Sequence, residues 1–74
     1  MEIKNILTVN QYEFLCRIAE SIKAAGRLDN QRKTSFITEY KGMARGYIRC
    51  VIDTNNKLNL ADFKTIWAWF NAII

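Results

Sequence analysis

Three cations recur every four residues in the middle of the chain: Lys41, Arg45 and Arg49. On a helix this spacing places them in one stripe, which would suit a polyanion, an acidic protein surface or only solvent. Gly42 and Gly46 lie beside the stripe. Because glycine has no side chain, both would let a phosphate backbone or another helix approach closely. We therefore predict a face that binds a macromolecule.

Basic residues are concentrated in the same part of the chain. The 74 residues carry a formal net charge of +4, and residues 27–49, with six basic and two acidic side chains, account for all of it. The rest of the chain carries five of each sign. This distribution favours a basic face over a basic tail. Arg27, Arg32 and Lys33 would supplement the stripe.

Few groups in the sequence could catalyse a reaction. Histidine is absent, and the two cysteines, Cys16 and Cys50, form no CxxC pair that could begin a metal site. The spacing Gly42-x-x-x-Gly46 lacks the Lys-Ser/Thr of a phosphate loop. We expect no catalytic residues, no metal and no cofactor, and hence a protein that is not an enzyme. Both thiols are expected to be reduced.

Helix-capping patterns indicate where the first helix begins. Asn10 precedes Glu13 by three residues, as in a capping box, and apolar residues then recur at helical spacing. We predict a helix over about 11–25. Gly26 follows it, where a left-handed residue commonly ends a helix.

The central segment admits two interpretations. As a helix over about 33–53, its apolar residues fall within an arc of roughly 140°, with most charges outside. As a β-hairpin at 35–53, it would turn around the two glycines, Gly42 and Gly46, but its residues alternate poorly. The helix is favoured, although each glycine weakens it by about 1 kcal/mol. The hairpin would make the fold α+β.

The last helix is unusually apolar. Asn59 and Asp62 form a second capping box, which predicts a helix over about 59–73. Its apolar arc of about 180° is wider than the stripe of a typical surface helix. Either this helix lies between the other two, or part of it, around Trp69 and Ile73, contacts another chain.

The remaining sequence features concern size and location. Seventy-four residues provide for one small domain, 1–74, whose short N-terminal segment would cover one end of the helices with Ile3, Ile6 and Leu7. No apolar run approaches the ~20 residues that span a bilayer, and residues 1–5 do not match a signal peptide. We expect a cytoplasmic protein without membrane contacts.

Together these patterns predict an all-α, compact three-helix bundle that acts by binding macromolecules. The favoured function is an accessory or inhibitory protein, of the type that phages and mobile elements carry by analogy of size, which docks on a protein partner or forms a homodimer. The alternative is a nucleic-acid-binding protein whose basic stripe contacts phosphates.

Overall fold

The computed structural model describes residues 3–74, and within them the fold is all-α. This confirms the predicted class, with the short N-terminal segment forming a helix of its own. The elements are α1 (Ile3–Ile6), α2 (Val9–Ala24), a 3-10 turn (Ala25–Arg27), α3 (Asn30–Thr54) and α4 (Leu60–Ile73).

Helix α2 begins two residues earlier than the sequence pattern predicted, so the Asn10 cap is wrong. Thr8 is the N-cap: its hydroxyl accepts from the Gln11 amide at 3.1 Å, and the Gln11 side chain accepts from the Thr8 amide at 2.9 Å. This start puts buried Leu7 and half-buried Tyr12 at the positions of a hydrophobic staple. The capping box at Thr8 therefore forms next to Leu7, a residue of the buried core.

The connection from α2 to α3 uses no left-handed residue. Gly26 lies in the 3-10 turn, and no glycine among residues 3–74 has a positive φ, so its predicted role is wrong. Asp29 then caps α3 by accepting from the Arg32 amide at 2.9 Å. Because this cap stands before the polar stretch at 30–33, that stretch becomes the first turn of α3.

Helix α3 is continuous through 35–53, so the hairpin alternative is wrong. Gly42 and Gly46 both lie within α3 and have negative φ, so neither interrupts the helix. The predicted range 33–53 lies inside the observed helix.

Helix α4 begins as predicted. The Asn59 side chain accepts from the Asp62 amide at 3.2 Å, and the Asp62 carboxylate accepts from the Asn59 amide at 2.9 Å.

One apolar core joins all three long helices. Its completely buried centre comprises Leu15 of α2, Ile48 of α3, and Ile66 and Phe70 of α4. Each such side chain contributes roughly 1.5–3 kcal/mol by leaving water. Ile6 of α1 and the following Leu7 extend the core at one end, which places the N-terminal segment where its apolar residues predicted it. The molecule measures 42 × 17 × 17 Å.

Candidate functional site

A groove between α3 and α4 brings part of the basic stripe beside apolar side chains. We call it the α3/α4 groove; its volume is ≈ 310 Å³. Its lining consists of Arg45, Arg49, Ile52 and Asp53 from α3, and Leu60 and Phe63 from α4.

Both arginines are exposed, and neither has an ion-pair partner among the described residues 3–74. Within residues 3–74 the one ion pair joins Arg32 to Asp29 at 3.6 Å, on the amino-terminal turn of α3. Arg45 and Arg49 therefore keep their guanidinium donors available, and they repel one another across a single helical turn. Asp53 lies one further turn along and partly offsets this charge.

The apolar wall of the groove is the part that sequence reasoning missed. Leu60 is 67% exposed, although it is a large apolar side chain. It is the first residue of α4, directly after the Asn59 cap, so the capping geometry presents it at the surface. Half-buried Ile52 and Phe63 continue this wall into the core. The wide apolar arc of α4 was the available signal, but it did not show which end was uncovered.

The other predicted basic residues do not all join this groove. Arg32 lies about 140° around α3 from Arg45 and lines a different depression, which contains Asp29 and Glu39. Arg27 is exposed in the 3-10 turn. Lys33 and Lys41 are half-buried on α3. The six basic residues therefore occupy several faces, and Arg45 and Arg49 are the pair that shares the groove.

Both predicted close-approach glycines are open to the surface. A Cβ atom added at Gly42 or Gly46 would meet nothing within 4 Å. The packing of this chain therefore does not require glycine at either position. Their use by a partner remains a prediction.

The predicted apolar interface at Trp69 and Ile73 has contacts within the chain. Both side chains are half-buried and pack against the core. The Trp69 ring stacks on Tyr12 of α2 with centroids 5.3 Å apart, and the Lys4 ammonium lies 5.7 Å from the centroid of the Tyr12 ring. Use of Trp69 and Ile73 by another chain remains a prediction.

The thiols are free, with Cys50 exposed and Cys16 half-buried. Cys16 raises the pKa of the Tyr12 hydroxyl through its charge and then through a side-chain hydrogen bond, and burial adds to the rise. Residues 3–74 contain no group of three or more His, Cys, Asp or Glu side chains placed to hold a metal ion.

No protein family model matches the sequence, and no curated protein or solved structure is significantly similar to it. In the part of the chain that the structure describes, no helix is both long enough and apolar enough to cross a membrane.

Proposed function

We propose that this protein is a non-enzymatic binding module that docks on a partner protein through the α3/α4 groove, as an accessory or inhibitory protein does. The observation that carries this proposal is the juxtaposition of two unpaired arginines with the exposed side chain of Leu60. A segment that is acidic on one side and apolar on the other fits both features at once.

The composition of the groove favours a protein over a nucleic acid as partner. Backbone phosphates would use Arg45 and Arg49 but would gain little from Leu60. An amphipathic helix uses both the arginines and the apolar wall, because its apolar residues enter the groove while its carboxylates meet the arginines. Charge pairing would set the association rate, and burial of Leu60 and Phe63 would supply affinity.

Fluorescence anisotropy tests this proposal with a labelled synthetic peptide that forms an amphipathic helix with Leu on one face and Glu beside it. A peptide of the same composition in scrambled order controls for charge alone. We expect the ordered peptide to bind more tightly and its binding to weaken as salt rises. A labelled mixed-sequence DNA duplex provides the nucleic-acid comparison.

Variants separate the two halves of the groove. The double variant Arg45→Glu/Arg49→Glu should abolish peptide binding, and Leu60→Ser should weaken it about tenfold or more. Arg27→Glu, which changes a basic residue outside the groove, should have a much smaller effect. Circular dichroism checks that each variant stays helical. The proposal would be refuted if Leu60→Ser left the affinity for the peptide unchanged, or if the protein bound the DNA more tightly than the peptide.

A further inference from the structure

In the structure of residues 3–74, the first half of α3 has a face that is largely exposed. None of residues 30–43 is buried, whereas Ala44, Ile48 and Val51 in the second half are. Met43 is 47% exposed, and Leu28, just before the helix, is 38% exposed. Apolar side chains of this size at the surface indicate a region that gains stability when it is covered.

Four side chains of α3 form a continuous strip on this face, which we call the outer strip: Arg32, Phe36, Glu39 and Met43. Their spacing of four, three and four residues keeps them within about 60° of one another around the helix. It is the spacing of a helix-pairing seam. Phe36 is held by stacking on Tyr40, with centroids 4.3 Å apart. The strip lies beside an open depression of ≈ 690 Å³ that Leu28 also lines.

The outer strip carries one exposed charge of each sign, Arg32 and Glu39, and Arg32 also pairs with Asp29 of its own chain at 3.6 Å. Arg32 and Glu39 stand two helical turns apart at opposite ends of its central part, with Phe36 between them. If a second copy packs antiparallel, with a two-fold axis between positions 35 and 36, each Arg32 faces Glu39 of the other copy. Leu28 precedes the Asp29 cap in an extended conformation, so it lies outside this helical register. The facing helix would cover half-buried Phe36, which lies between the two charged positions.

We infer that the outer strip is a homodimer interface in which two copies of α3 pack antiparallel. The occupant is a second copy because antiparallel pairing of the strip with itself brings Arg32 of each copy to Glu39 of the other, on either side of Phe36. Arg45 lies about 180° from Phe36 around α3. Such a dimer therefore leaves the α3/α4 groove of each copy accessible and presents two grooves on opposite sides.

Sedimentation equilibrium from about 10 µM to 1 mM tests the dimer. This range is appropriate because an interface of one helix face falls below the roughly 1,200 Å² of most stable complexes. We expect the mass to rise from 8.6 kDa toward twice that value with concentration. A mass that stays at the monomer value throughout would overturn the inference.

Charge exchange tests the register. Arg32→Glu lowers the formal net charge from +4 to +2, which would favour nonspecific association, yet it should weaken dimerisation at least about tenfold because two Glu side chains then face one another. Glu39→Arg should weaken it similarly. The double variant Arg32→Glu/Glu39→Arg restores both the +4 charge and the facing pairs, and should recover the dimer.

Phe36→Asp provides a second disruption, checked for helicity by circular dichroism. Arg45→Glu is the matched control on the opposite side of α3, and it should lower peptide binding while leaving the dimer intact. A dimer that Arg32→Glu and Glu39→Arg leave unchanged, or one that the double variant fails to recover, would contradict the inferred pairing. Neither result would contradict the proposed peptide binding, because sedimentation measures the dimer and fluorescence anisotropy measures binding in the α3/α4 groove.

Discussion

The two halves of α3 carry similar apolar residues but are covered to different extents. In the first half Phe36, Ile37 and Tyr40 are half-buried, while in the second half Ala44 and Ile48 are completely buried. Helix lengths explain the difference. At 1.5 Å per residue, α3 is about 37 Å long and α4 only about 21 Å. Helix α4 packs beside the second half of α3. It is too short to extend along the first half as well.

This difference assigns the halves different tasks. The second half holds the bundle together and carries Arg45 and Arg49 on its outer side. The first half contributes less to the core and leaves an apolar and charged strip uncovered. A stable core and an available surface thus occupy successive parts of one helix, and four variant or exchange experiments can test that division.

The largest effect is expected from shortening a side chain in the second half. Ile48→Ala removes a completely buried side chain and should lower the free energy of unfolding by about 2–5 kcal/mol. Ile37→Ala in the first half should lower it by less than about 1.5 kcal/mol, because Ile37 is half-buried. Urea denaturation followed by circular dichroism measures both. Equal losses would show that the halves contribute equally to the core.

Amide hydrogen exchange should show the same division without any substitution. Amides at 44–54 are expected to exchange about tenfold more slowly than those at 34–43, because the α3 side chains that pack on the core from the first half, such as Ile37 and Tyr40, are only half-buried. Measurement at low protein concentration keeps the chain monomeric. At high concentration, dimerisation should slow exchange in the first half selectively. Uniform protection along α3 in the monomer would argue against the division.

Cap substitutions should have a smaller effect that depends on which helix they release. Asn59→Ala removes the cap of α4, which packs on the second half, and should lower the free energy of unfolding by about 1 kcal/mol. Asp29→Ala should lower it by only about half as much, because the first turn of α3 can fray while the core stays intact. Urea denaturation compares them. Asn10→Ala, inside α2, is the control and should change little. A loss from Asp29→Ala as large as that from Asn59→Ala would mean that the first half is integral to the core.

Replacing the two glycines of α3 should raise the stability of the protein. Gly42→Ala in the first half and Gly46→Ala in the second should each stabilise the protein by about 0.5–1 kcal/mol, because alanine is the better helix former and its Cβ meets open space. Thermal unfolding measures the gain. Since both positions are open, this is the comparison in which the halves should agree. A loss of stability at either site would show a close contact there.

Local signals in the sequence predicted most of the helices correctly. The Asn59–Asp62 box located α4, and helical spacing selected one helix over a hairpin at 35–53. The predicted start of α2 was wrong because the sequence offers two overlapping capping boxes, one beginning at Thr8 and one at Asn10, and both are locally acceptable. Packing of Leu7 into the core accompanies the Thr8 box, and that contact is not local. The prediction that Gly26 ends α2 in the left-handed conformation was also wrong, since a 3-10 turn at Ala25–Arg27 ends the helix instead.

The candidate site was only partly predictable. Arg45 and Arg49 followed from their spacing, but their association with Leu60 depends on how α3 and α4 pack. One of the two interpretations of α4 placed its exposed apolar residues around Trp69 and Ile73, whereas among the large apolar side chains of α4 within residues 3–74 it is Leu60 that is largely exposed. A helical arc shows which residues are apolar, and it does not show where along the helix a neighbour ends.

By itself the sequence determined the helical class, the caps of α4, the central concentration of positive charge and the stripe on α3, because each depends on residues a few positions apart. Tertiary structure decided which basic residues share a groove, which cap begins α2, and which half of α3 is covered. These depend on the relative lengths and packing of helices, since a residue is buried only where another element lies against it.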